Sequence, residues 1–414
     1  MNKRMIMVLM CAGLVLVCLP LFAGGQKEGA TSATAPVTIT EMDYWTSDPG
    51  DTAMKNYIAA FQTAHPGVTV QRTSEPFVSY LSKALTMASA HSLPDILELD
   101  NPQLQAFAST GTLAALDSFT SIDKSKYYDG PLSTVIYKEH IYGLPVGNNN
   151  LAIYYNKKLL QDAGVNPPKT WDDLLADAKA LTKGNTYGFA FSARAGEEAS
   201  WQFEPWLWTN KGDLQTIGSA ESIAALKLLV TMVQNGWASK SVTNWGQDEV
   251  EQQFENGNAA MQEMGPWMLP QLAKSKIDFG IVPIPVPQPG MAPVPALGGE
   301  VFTIPTSTPD KEKTAWTFIA WMQQPDNLIA LNKAFAYIPA FIPAAQQLVQ
   351  SNPLLTVFAD QMKTGRARTM ILGPNYPKVS EIVSSAVQAA LVGTATPEAA
   401  CQQAQQQIDQ ALKQ

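Results

Sequence analysis

The residues able to do chemistry in this sequence are carboxylate pairs, scattered histidines and a large supply of flat rings. Glu98 and Asp100 are two apart, and Glu197 and Glu198 are adjacent. Two carboxyls are what glycoside hydrolysis needs, one as acid and one as base or nucleophile. Carboxylates so close in sequence are nonetheless far more often solvated surface. The three histidines, His65, His91 and His140, are far apart. There is no H-E-x-x-H, no Cys/His zinc spacing, no G-x-x-x-x-G-K-[ST] phosphate loop and no G-x-S-x-G elbow. The expectation is a protein with no catalytic residue, no metal and no cofactor. Ten tryptophans and twelve tyrosines remain, with three tryptophans inside "ASWQFEPWLW" (199–208). They fill a large core, or they line a site that uses flat rings.

The elements that must position such a site begin after an unusual N-terminus. Lys3 and Arg4 precede an apolar run from Met5 to Phe22, then Ala23, Gly24 and Gly25. That layout predicts a secretory signal over residues 1–23. A membrane anchor is the alternative, but Pro20 and the small residues favour cleavage. Cys11 and Cys18 are preceded by Met10 and Val17, not the small residue of a lipoprotein site, so lipid anchoring is not favoured. Residues 24–36 are small and polar and read as a flexible leader. The mature protein is then extracytoplasmic and keeps one cysteine, Cys401, which can form no internal disulfide. Stability must come from core burial. Net charge is −8, and two units more negative without Lys3 and Arg4. With no basic block, nucleic acid and anionic membrane are excluded as partners.

"VTITEMDYW" (37–45) alternates as a strand. "AMKNYIAAFQTAH" follows with helical spacing, then the strand "VTVQRT", the helix "YLSKALTMASAH" and the strand "DILELD". This is a βαβαβ unit on a parallel sheet. The run Asn148, Asn149, Asn150 suits neither a helix nor a strand interior and reads as a connector. Thr170 and Asp173 form a capping box at a helix start. Residues 220–236 and 247–256 read as helices, and "AAMQEM" (259–264) as a strand that runs into Gly265-Pro266-Trp267. The proline-rich stretch 279–300 cannot be a central strand for long. It reads as a strand leaving one domain, a stiff loop and a return. The fold class is α/β, with two lobes joined by more than one strand, a design that lets the lobes rotate about a cleft.

The residues then name a family. "PDILELD", "GTLAALD", "IYGLPVGNNNLAIYYNKKLLQDAGVNPPKTWDDLLADAKALT", "FENGNAAMQEMGPW", "GGEVFTIP" and "AWTFIAWM" run in order through nearly all of the mature chain. With them the chain resembles the extracellular solute-binding proteins of ABC importers, the cluster typified by maltose-binding protein. The resemblance implies a periplasmic-binding-protein fold whose ligand, usually a carbohydrate, lies between two α/β lobes. It implies a membrane permease as partner and a monomer. It places the crossings near Val146–Asn150, Leu297–Val301 and Tyr337–Pro339. Lobe one is then 37–146 with 301–337, and lobe two 150–297 with 339–414. A sugar offers an apolar face for an aromatic ring and a hydroxyl rim for fixed amides and carboxylates.

Candidates follow from strand ends, where doubly wound sheets bind ligands. Thr46, Ser47 and Asp48 follow the first strand, with Asp48 equally a turn former and Trp45 a core residue. Asp100 and Asn101 follow the third. Asn148 and Asn149 lie at the first crossing, and Asn149 matches a family contact position best. The family's best-known member has a carboxylate there, which leaves the sugar open. The resemblance implies Trp201, Trp267 and Tyr376 as stacking aromatics, with Trp206 and Trp208 as lesser candidates and the core as the alternative for each tryptophan. Gly298 and Gly299 allow close backbone approach, beside Glu300. Arg366 and Arg368 are expected in surface ion pairs. In an alternative reading one of them clamps a sugar phosphate or sugar acid. A secreted carbohydrate-active enzyme is the alternative from another class.

Overall fold

The computed structural model describes residues 36–413. The signal-peptide reading, Cys11 and Cys18, and the leader up to residue 35 lie outside the described residues. Among the described residues no helix is long and apolar enough to cross a membrane.

Two sheets organise the chain. The first begins with β1 (Val37–Asp43), β2 (Val68–Ser74) and β3 (Ile96–Asp100), all parallel, with helices Gly50–Ala64 and Phe77–Ser89 between them. This is the βαβαβ unit the alternating and helical periods predict. A small hairpin, β4 (Ile136–Tyr137) and β5 (His140–Ile141), leads into β6 (Gly143–Asn149). The second sheet is built from β7 (Ala152–Asn156), β8 (Tyr187–Ala190), β9 (Ala259–Met264) and β10 (Phe279–Val282), in the order β10-β7-β9-β8. The chain then returns in β11 (Ala296–Thr303), which enters the first sheet antiparallel to both β3 and β6. A two-residue strand, β12 (Arg366–Ala367), pairs with its first residues.

The asparagine run is a correction to the connector reading. β6 continues through Asn149, and Asn148 and Asn149 pair with Gly299 and Gly298 of β11. Asn prefers turns, but every residue of β6 is buried between β11 and neighbouring helices, and burial in a sheet overrides local preference. The register shifts beside Pro145, which has no N–H to give to the ladder.

Three cores form. One gathers Ile39, Phe61, Leu97, Phe302 and Phe318 around the first sheet and draws on residues up to Val146 and from Val301 to Tyr337. A second gathers Phe189, Trp206, Leu229 and Val383. The third, with Tyr154, Phe254 and Phe358, lies against the other side of β7 and β9. Helices Tyr376–Val392 and Pro397–Ala411 close the second core and bury Cys401. The expected capping box is present, with Asp173 N donating to Thr170 Oγ1 at 3.1 Å and Thr170 N donating back to Asp173 Oδ2 at 2.9 Å.

Candidate ligand-binding cleft

A cavity of about 450 Å³ opens where the carboxyl ends of β1 and β3 meet β11, the helix Glu197–Thr209 and the turn after β9. It is lined by Thr46, Ser47, Asp100, Asn149, Trp201, Trp267, Gly299 and Glu300, so eight of the residues singled out from sequence come together. None of the three histidines lines it.

The backbone beneath it is tightly specified. Asn148 N donates to Ile338 O at 2.7 Å, and Ile338 N donates back to Asn148 O at 2.8 Å. Asn148 also pairs with Gly299. The end of β6, the start of β11 and residue 338 thus form one small ladder. Gly299 has φ +138, and a Cβ there would strike the Gly147 carbonyl oxygen, so this position requires glycine.

Glu300 sits on the floor, 5% exposed. Its Oε1 accepts from the hydroxyls of Tyr44 at 3.0 Å and Tyr337 at 3.1 Å. Its Oε2 has no partner among the described residues. Burial, and then the charge of Asp100, pushes this carboxyl up to about 8; the two hydroxyls and Arg368 oppose the rise.

Arg368 is a finding that sequence reasoning missed. It is 4% exposed, not a surface side chain. Nη1 and Nη2 grip Asp100 as a fork, Nη1 also donates to Glu197 Oε1 and Nη2 to Asn101 Oδ1, and Nε donates to the Leu297 carbonyl. The guanidinium lies 4.4 Å from the centre of the Trp201 ring, a cation–π contact. The partners come from positions 71 to 268 residues earlier, so no local pattern announces them. Glu197 likewise is not solvated surface. It accepts from Arg368, and from Ser380 Oγ at 2.6 Å. Tyr376 Oη lies 2.7 Å from Oε1 of both Glu197 and Glu204. A hydroxyl has one proton to give, so one carboxyl must carry its own. Glu204 is fully buried and pushed well above the usual carboxylate range by burial and the neighbouring charge of Glu197.

Aromatic rings stand around the cavity. Trp267 is half-buried, and its ring folds back over Gly265, where a Cβ would fall inside the indole. Trp267 packs against all three cores. Trp201 lines the cavity but is 5% exposed, with Arg368 over its ring. Trp45 is stacked on Phe335 at 4.3 Å, in the core as expected, though it also touches the cavity wall. Tyr44 and Phe77 meet edge to face at 5.2 Å near the mouth, with Phe77 exposed. The tyrosine and phenylalanine were hidden in the sequence, one beside the more conspicuous Trp45 and one at a helix start after Pro76.

The remaining candidates lie elsewhere. Asp48 accepts from Thr52 N and Oγ1, a turn-forming role outside the cavity. Asn101 is buried against Arg368, Asn148 is taken up by the ladder, and Gly298 lies under Trp201. Tyr376 is fully buried behind Glu197. Arg366 bonds to Asp213 and covers Trp208, away from the cavity.

Comparison with known proteins agrees with this architecture. The family model for the bacterial extracellular solute-binding protein matches residues 56–357. The galactooligosaccharide-binding protein of Bacillus subtilis (strain 168) is 23% identical over 426 aligned positions, covering 98% of this chain and 96% of its own. An ABC transporter solute-binding protein from Thermotoga lettingae TMO, solved with α-D-tagatose, superposes with a TM-score of 0.82 at 24% identity over 91% of this chain and 99% of its own. The cyclic α-maltosyl-1,6-maltose binding protein from Arthrobacter globiformis gives 0.76 at 26% identity over 92% and 100%. The fold is the two-lobe periplasmic-binding-protein type. On the extent of the family match, the chain belongs to the bacterial extracellular solute-binding proteins.

Proposed function

We propose that this protein is the extracytoplasmic capture component of an ABC importer, and that it holds a carbohydrate in the cleft and delivers it to a membrane permease. The observation that carries the reading is the composition of the cavity wall. Trp267, Phe77 and Tyr44 offer ring surface, while Asp100, Asn149 and Glu300 offer fixed polar atoms between them. Rings cover the C–H face of a sugar, and the polar groups take its hydroxyls. Capture needs no nucleophile. In this reading lobe one is 37–146 with 301–337, lobe two is 150–297 with 339–414, and the ladder of β6, β11 and Ile338 is the hinge. The mature protein acts as a monomer outside the cytoplasm.

Calorimetry against a panel of mono- to tetrasaccharides, combined with small-angle scattering, tests this. The expected result is one-to-one binding with compaction on ligand addition. Trp267→Ala should weaken binding by the folded protein by more than ~1 kcal/mol, with a lowered melting temperature because the indole also packs against all three cores. Loss of folding with unchanged affinity in the residual folded fraction would make Trp267 a core residue only. Release of new saccharides from any panel member on long incubation would replace the capture reading with a hydrolytic one.

A further inference from the structure

The charge of the cleft wall, taken with the bonding of its arginines, narrows the class of solute. Six carboxyl groups line the cavity, those of Asp100, Glu197, Glu198, Asp248, Glu249 and Glu300. Among the described residues the cations there are Arg194 and Arg368, and no lysine lines it. An anionic solute needs a cation with N–H groups to spare. Arg368 has none. A guanidinium carries five N–H groups, and all five have acceptors in the protein: two on Asp100, one on Glu197, one on Asn101 and one on the Leu297 carbonyl. One face of the same group is covered by Trp201. Arg194, at the rim, donates to Glu198 Oε1 and faces Asp248. Arg194 gives one N–H to Glu198, so at Arg194 the case against an anion rests on charge and not on saturation: Glu198 and Asp248 answer it, and carboxyl groups remain in excess over the two arginines.

A second observation locates a contact. Glu300 Oε2 is the buried polar atom of the cavity floor that lacks a partner, since both tyrosine hydroxyls go to Oε1. A carboxyl oxygen so placed meets a hydroxyl or an amine favourably. The discrimination against anions comes instead from the carboxylates around it, those of Asp100, Glu197, Glu198, Asp248 and Glu249, since like-charge juxtapositions cost several kcal/mol.

We infer, on the footing of the carbohydrate-capture reading, that this site takes a neutral or amine-bearing polyol and excludes sugar phosphates and sugar acids, with Glu300 Oε2 among the atoms that contact the solute. This removes the alternative in which Arg366 or Arg368 clamps an anion. Arg366 lies off the cavity, and Arg368 is fully engaged.

The test is a matched panel measured by thermal shift and calorimetry. Glucose, galactose and their di- and trisaccharides are each offered as the neutral parent, the 6-phosphate, the uronic acid and the 2-amino derivative. One or more neutral or amino members should bind, and their phosphate and uronate forms should bind about 100-fold more weakly or not at all. A phosphate or uronate that binds as tightly as its neutral parent overturns the charge rule and leaves carbohydrate capture standing. Failure of the whole panel sinks both. For the contact, Glu300→Gln keeps a donor and an acceptor and should hold neutral-solute affinity within about threefold, while Glu300→Ala should lose about tenfold. Unchanged affinity in the alanine variant, with an unchanged melting temperature, removes Glu300 from the contact.

Discussion

At the floor of the cleft, Glu300 takes two tyrosine hydroxyls on one oxygen and none on the other. Tyr44, Glu98 and Asp100, Tyr337 and Arg368 face it from the surrounding segments, and burial with the Asp100 charge raises it to about 8. At neutral pH the group is an acid, and its free oxygen can donate to a solute oxygen. The sign follows: raising pH through about 8 removes that proton and sets a charge where a donor was. Affinity for a neutral solute should therefore fall as pH rises from about 7 to about 9, and Glu300→Gln should show no such fall over that interval. Calorimetry at several pH values reads this directly, and a wild-type profile as flat as the variant's would refute it. Glu300 was legible in the sequence because it follows two glycines at a crossing. Arg368 was not. Its partners Asp100 and Glu197 lie 268 and 171 positions away, and only the closed topology brings them together.

At the scale of elements, the turn after β9 shows how a local sequence sets a ring at the cavity wall. Gly265 accepts from the Tyr154 hydroxyl at 2.8 Å through its carbonyl, Pro266 starts a short 3-10 helix, and Trp267 returns over Gly265. The glycine is needed for the space above it, not for its backbone angle, since its φ is −96. Gly265→Ala should push the indole aside, at a cost of about 1–3 kcal/mol as in overpacked sites generally. Tryptophan fluorescence should shift, and solute affinity should fall by about as much as in Trp267→Ala. An alanine variant with wild-type emission and affinity would show that the ring has room to spare. Secondary structure was largely legible at this scale. The capping box at Thr170, the first βαβαβ unit and the terminal helices all follow from spacing and cap residues. The asparagine run was misread because its turn preference is local, whereas its strand is imposed by β11 from 150 positions later.

Across the whole molecule, buried carboxyls are numerous. Glu41, Glu98, Glu204 and Glu263 are raised, chiefly by burial, and Glu251 and Glu300 are each raised to about 8. A carboxyl raised in the folded state binds more protons there than in the unfolded chain, so stability falls with pH between the unfolded value and the folded one. The melting temperature should be highest near pH ~5 and should decline by several degrees toward pH ~8. Scanning calorimetry across that interval checks it, and a flat or rising curve would contradict the burial argument. Arg368 joins the end of β3 to the helix over the second sheet, so Arg368→Met leaves Asp100 and Glu197 without their cation. Removing one partner of a buried pair costs about 3–5 kcal/mol, to be read from denaturant melts. The two-lobe plan was legible because several family-like segments run in order. The cleft was half legible, because strand ends mark its floor while its rim is assembled from distant loops. The late return of β11 carries a kinetic consequence. The first sheet closes only when β11 inserts between β3 and β6, and Thr303 bonds to Leu97 across 206 positions. Contacts so distant are slow to form because a long loop must close first. An emerging chain cannot complete its first sheet until most of its length has been made. It thus remains threadable for a long interval, and refolding from denaturant should be correspondingly slow.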